Sequence, residues 1–168
     1  MRKNTMFKLF LLLIIPYLSG EIINRLINYG IALNSSILLS FSSVLLILLP
    51  FVSTAFWFWV GKQFGSLKMH RTKSFILGNS IWSILLGLHI WQFTFVQDIN
   101  RNISISSISQ HYVLGFVSWS TKAISLFTNT IQGTMVIRVA YLMMLIVFII
   151  GFSNSSPTVQ VGAKKLTK

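Results

Sequence analysis

Apolar residues run on in this chain over lengths that no soluble helix or strand requires. Between Arg25 and Lys62 there is no charged residue, and the densest apolar part covers 36–60. A second charge-free interval, 74–97, lies between Lys73 and Asp98. A third lies between Arg138 and Lys164, and its apolar core reaches back to Thr134 if the Arg138 guanidinium snorkels to an interface. A helix rising ~1.5 Å per residue needs about 20 residues to cross ~30 Å of hydrocarbon, so each interval predicts a membrane span. The N-terminal run 9–20 follows a basic leader and is short enough for a signal-peptide core. Cleavage after Gly20 would put Leu18 where a small residue is wanted, however, so an uncleaved first helix over 7–29 is expected. The fold class expected is an all-α integral membrane protein, one polytopic domain with four transmembrane helices at 7–29, 36–60, 74–97 and 134–152. Pro50 removes a backbone donor near the middle of the second span and predicts a kink there.

The connection 98–133 is too long for a turn between helices and too apolar for a plain solvated loop. The alternation Ile-Ser-Ile-Ser over 103–110 fits a strand or an extended surface segment. From Tyr112 onward the period changes. Ser118, Lys122, Ser125, Asn129 and Gln132 share one helical face, and Tyr112, Phe116, Trp119, Ala123 and Phe127 share the opposite one. That pattern predicts an amphipathic extracytoplasmic helix lying on the outer leaflet or packed back over the spans. A fifth span over 112–131 would bury Lys122 near its centre at a cost of ~2.5–3.5 kcal/mol, and would export the C-terminal lysines.

Composition sharpens this picture. Of 168 residues, 54% are hydrophobic and 10% charged, against ~25% charged in ordinary soluble domains, and mean hydropathy is +0.73. The formal charge of +12 arises from 14 Lys and Arg against 2 Asp and Glu. The cations fall in small groups at helix ends, with the largest at Lys62, Lys68, Arg71 and Lys73, so they read as topology signals rather than a nucleic-acid interface. With Arg2, Lys3, Lys8, Lys164, Lys165 and Lys168 on the same side, both termini and the tail 153–168 are expected in the cytoplasm of a cell membrane. Cys is absent, which excludes disulfides and thiol chemistry. Two acids cannot build a paired-carboxylate hydrolase or an acidic metal cage, so neither a metal nor a cofactor is expected.

Ionisable groups inside apolar spans are the candidate polar site: Glu21, Arg25, His89 and Arg138. Glu21 and Arg25 stand one helical turn apart and suit an ion pair. Arg138 has only Asp98 or Glu21 as acidic partners. His89 is a single histidine in its span, with His70 expected on the opposite side and His111 in the outer segment, so it suits a hydrogen bond across the bundle better than a metal. Asn79, Ser83 and Gly87, at four-residue steps, form a small polar stripe expected to serve helix packing.

The stretch Glu21-Ile-Ile-Asn-Arg25 resembles the Glu-x-x-x-Arg part of the CAAX-protease and bacteriocin-immunity superfamily, and Leu85-Leu86-Gly87-Leu88-His89 resembles part of its histidine helix. The resemblance covers only those two stretches. Gly20 stands where the family has a first glutamate, and a later His-x-x-x-Asn motif is missing. The function expected is therefore non-catalytic: an accessory, binding or immunity-like component acting by helix packing, with the lipid bilayer and a membrane-protein partner or second copy as its contacts. A small proton- or cation-coupled transporter using Glu21 or His89 is the alternative. An intramembrane hydrolase would require those residues to converge.

Overall fold

The computed structural model describes residues 3–155. The lysines expected in the cytoplasmic tail at 164, 165 and 168 lie outside that range, as does Arg2. Among the described residues are seven α-helices: α1 (Lys3–Ala32), α2 (Ser36–Gly65), α3 (Arg71–Gly78), α4 (Ser80–Thr94), α5 (Ile103–Tyr112), α6 (Leu114–Ser125) and α7 (Gly133–Ser153), with a single 3-10 turn at Asp98–Asn100. Three of them, α1, α2 and α7, are long and apolar enough to cross a membrane, and the bent pair α3 and α4 makes a fourth if the two halves are taken together. The fold is thus all-helical and compatible with membrane insertion.

The helix ends have local causes. Ser35 caps α2 by accepting from the Leu38 amide at 3.4 Å. The tight α1–α2 turn passes through Asn34 at φ 47, a left-handed conformation that asparagine tolerates better than most residues. Helix α2 runs unbroken through Pro50.

The third expected span is not one helix. It bends by 50° between α3 and α4. A side chain at Gly78 would run into the Phe148 and Phe64 rings, so Gly78 lets α3 lie close to α2 and α7. One residue on, the Asn79 side-chain amide donates to the Phe75 carbonyl at 3.0 Å, beside the Asn79 backbone amide, which donates to the same oxygen at 3.1 Å.

The segment 98–133 also differs from expectation. Residues 103–110 are helical, not extended. Ser109 Oγ donates back to the Ser106 carbonyl at 2.8 Å, a bond serine makes within a helix, so the period-two pattern carried no strand. The amphipathic helix is shorter than predicted, ending at Ser125 and leaving Phe127 exposed, and its buried face is Phe116, Ser120 and Ile124. Of the two placements its pattern allowed, α6 takes the second and packs back over the long helices. Tyr112 packs on Trp57 and Trp119 on Phe51, halfway along α2, while a Cβ at Gly115 would strike Ser53.

The core sits where α2, α7 and the α5–α6 junction meet. Trp57, Val60 and Phe64 of α2 pack with Ala140, Tyr141, Met144 and Phe148 of α7 and with Tyr112, Val113 and Phe116. Trp57 meets Phe148 and Tyr112 edge-on, each at 6.1 Å between ring centroids. Glycines set the closest approach. A Cβ at Gly61 would meet the Phe148 carbonyl, and one at Gly151 would meet the Phe58 carbonyl, so α2 and α7 touch backbone to backbone. Gly61→Leu or Gly151→Leu is expected to cost about 1–3 kcal/mol or more by overpacking, read as a lowered unfolding midpoint in detergent micelles. Gly87→Leu, at a position open to space, should change stability by less than about 0.5 kcal/mol. Equal midpoints for the two classes would contradict this contact.

Candidate functional site

Two polar centres emerge, separated by α5. The first lies between α1 and α5. Glu21 Oε1 accepts from Arg25 Nε at 2.7 Å, as its spacing predicts. The second oxygen, Oε2, lies 2.8 Å from His111 Nδ1, a partner that sequence reasoning missed. A carboxylate accepts and does not donate, so the imidazole carries its proton on Nδ1 in this pair. Ser107 Oγ, one turn back on α5, is 3.4 Å from the same nitrogen. Gly20 makes the pair reachable: a side chain there would collide with the His111 carbonyl. That position is the one at which the superfamily with the similar Glu-x-x-x-Arg motif has glutamate, and this chain has no room for one. Arg25 is largely exposed, while His111 is mostly covered.

The second centre surrounds His89 on α4. Its ring is wholly buried, lies 4.6 Å from Phe93 and 6.4 Å from Tyr141, and neither nitrogen has a hydrogen-bond partner. The Thr134 backbone of α7 lies beside the ring, outside regular hydrogen-bond geometry. The polar partner expected across the bundle is thus approached without a regular hydrogen bond. A partly open cavity of about 410 Å³ lies beside His89, with both ring nitrogens closed off from it.

Around these centres, other polar groups tie the helices together. Arg138 does not pair with an acid: its guanidinium donates to Thr94 Oγ1 at 2.8 Å, linking α7 to the end of α4. Asp98 is taken by Arg101 at 2.6 Å. Arg101 also donates to the Gln92 carbonyl and covers the Phe93 ring at 4.6 Å. The buried Gln92 side chain accepts from the Asn102 amide at 3.0 Å, pinning the 95–102 connection onto α4. Tyr141 holds two helices at once, since its hydroxyl donates to the Ser109 carbonyl at 2.8 Å and its own carbonyl accepts from Trp82 Nε1 at 3.0 Å. Burial, reinforced by the neighbouring Tyr141, holds the Tyr112 phenol well above its usual pKa, so it stays neutral.

The stripe Asn79, Ser83 and Gly87 divides. Asn79 is buried at the bend, but Ser83 and Gly87 are exposed and touch no other helix closely. Close packing within the chain is made by Gly20, Gly61, Gly115 and Gly151 instead. Glu21 and His89 face different elements, and Glu21 does not line the cavity beside His89. Among the described residues no group of three or more His, Cys, Asp or Glu is placed to hold a metal. Comparison with known proteins found no matching family model, no matching curated protein and no matching solved structure.

The Glu21–His111 contact should act as a latch between α1 and α5. Glu21→Gln removes the charge and one acceptor, and hydrogen–deuterium exchange of the α5 amides in micelles is expected to rise several-fold while α7 is unchanged. Unaltered exchange in α5 would show that the pair holds nothing in place.

Proposed function

We propose that this is a four-span protein of a cell membrane, with both termini in the cytoplasm and the segment 98–133 entering the bundle from the outer side. Its role is non-catalytic: an accessory, binding or immunity-like component that works by packing a helix of a partner, or of a second copy, against its own. The observation that carries this reading is the outward face of α4. Ser83 and Gly87 are exposed there beside Ile84, on a helix whose opposite face, Leu85, His89 and Gln92, is buried. In lipid, apolar contact alone gives helices little reason to associate, and small residues let backbones come close. Most of the apolar length of α2 is likewise left uncovered, including Ile37, Ile47, Phe51 and Val52.

Photo-crosslinking in native membranes tests the reading. A benzophenone amino acid at Ile84 is expected to yield a discrete protein adduct, and one at Ile47, on the uncovered length of α2, to yield mainly lipid adducts. Lipid adducts alone at both positions would remove the proposal. A C-terminal reporter is expected to be cytoplasmic, and an exterior signal would overturn the topology.

One observation favours a second reading. A carboxylate and an imidazole in contact within the apolar length of α1 are suitable for passing a proton in a small proton- or cation-coupled transporter. Proteoliposomes containing the protein would then dissipate a proton gradient faster than empty vesicles, and Glu21→Gln would abolish the difference. Equal rates for vesicles with wild type and with Glu21→Gln would dismiss this alternative.

A further inference from the structure

We infer that the cleft between α1 and α3 holds an acyl chain of an anionic phospholipid, whose phosphate headgroup rests on Lys68 and Lys73 at the mouth. Such binding needs the bundle to lie in lipid with the connection 66–70 at an interface, and it needs no partner helix.

The wall of the cleft is hydrocarbon. Phe7 and Phe10 of α1 form one bank and Leu77 of α3 the other, with the buried Leu13 and Phe64 as the floor, around a space of about 340 Å³. Phe7 and Phe10 are exposed, so the cleft opens sideways to its surroundings. None of these five side chains can bond a polar group, whereas an acyl chain laid between the banks gains dispersion contacts that an empty cleft forfeits.

The mouth supplies charge. Lys73 stands one helical turn before Leu77 on the same face of α3. Lys68 lies in the connection 66–70, which begins two residues past Phe64. Both are exposed, and among the described residues neither pairs with an acid. Nearby cations are turned to other surfaces: Lys62 lies over the Phe58 ring at 5.8 Å and Arg71 over the Phe152 ring at 5.4 Å. The two acids of the chain are held elsewhere, Glu21 by Arg25 and His111, and Asp98 by Arg101. A choline headgroup would bring a cation with no carboxylate to meet it, so a headgroup of net negative charge is favoured.

Other occupants fit worse. Residues 156–168 carry three lysines and no acidic side chain, and a second copy would bring an equally basic end, so both are repelled. A free anion would meet two exposed, salt-screened lysines and gain nothing from the cleft. Another largely apolar hollow, of about 420 Å³, is walled by Phe51, Phe58, Trp119 and Ile150, and the cation beside it, Lys62, is laid on the Phe58 ring. That hollow suits an acyl chain of any lipid.

The test uses the full chain in phosphatidylcholine vesicles containing a trace of phosphatidylglycerol or phosphatidylcholine with a diazirine in the acyl chain. After illumination, adducts are mapped by mass spectrometry. The ratio of phosphatidylglycerol to phosphatidylcholine adducts is expected to be at least about fivefold at Phe10 and Leu77, and near one at Phe51. Lys68→Gln with Lys73→Gln should bring the cleft ratio near one. Lys8→Gln with Lys122→Gln removes as much charge from exposed positions, across α1 from Phe10 and on α6, and should leave it. Inorganic phosphate at constant ionic strength should not displace the probe. Phosphatidylcholine adducts at Phe51 show that the bundle lies in lipid, whatever the ratio in the cleft. Equal ratios at the cleft and Phe51, an equal fall in both double variants, or displacement by phosphate would overturn the inference. So would a cleft that neither probe labels while Phe51 is labelled, since a protein segment would then cover it.

Discussion

The backbone contact between α2 and α7 is the constraint from which the rest of the packing follows. Gly61 and Gly151 remove two side chains from the crossing, which lets Phe58 and Phe148 present their carbonyls to the facing helix. With the axes that close, aromatic rings from both helices interleave on one side, and Trp57, Phe64 and Phe148 form a wall against which α3 and the α5–α6 junction rest. Gly78 then repeats the device, bringing α3 against the same Phe148 ring. Dispersion between closely fitted surfaces, more than the expulsion of water, is the force available to such an arrangement in lipid.

Within that frame the polar groups act as ties rather than decoration. Each joins elements that apolar packing alone would leave free to slide: Glu21 with His111 joins α1 to α5, Arg138 with Thr94 joins α7 to α4, and Gln92 with Asn102 fastens the long connection. Other residues stand outside this pattern. Ser83 and Gly87 are small and turned outward, and His89, Thr54, Ser106 and Tyr112 each bury polar side-chain atoms without a hydrogen bond.

Much of the fold was legible because hydrophobic length is a local property. The charge-free intervals located α2 and α7 to within a few residues, and the pair Glu21 and Arg25 followed from helical spacing alone. The break at Asn79 was not legible, since it depends on what Gly78 meets, a ring on a helix far along the chain. Spacing assigned Ser83 and Gly87 to one face but could not say what covers that face. The helix at 103–112 was hidden because serine serves a strand pattern and a self-bonded helix equally well. His111 escaped notice because the residues before it, 103–110, were expected to be extended, which gave no helical face to set against α1. A signal did exist: Gly20 leaves the flank of Glu21 bare, and only three histidines were available to fill it.

Tyr141 has a mechanical meaning beyond its place in the core. Its phenolic end grips α5 and its main-chain end grips the Trp82 indole of α4, so one residue of α7 serves as a common axle. Turning α7 about its own axis would slip both grips together, so a rotation of that helix is felt at once by α4 and α5.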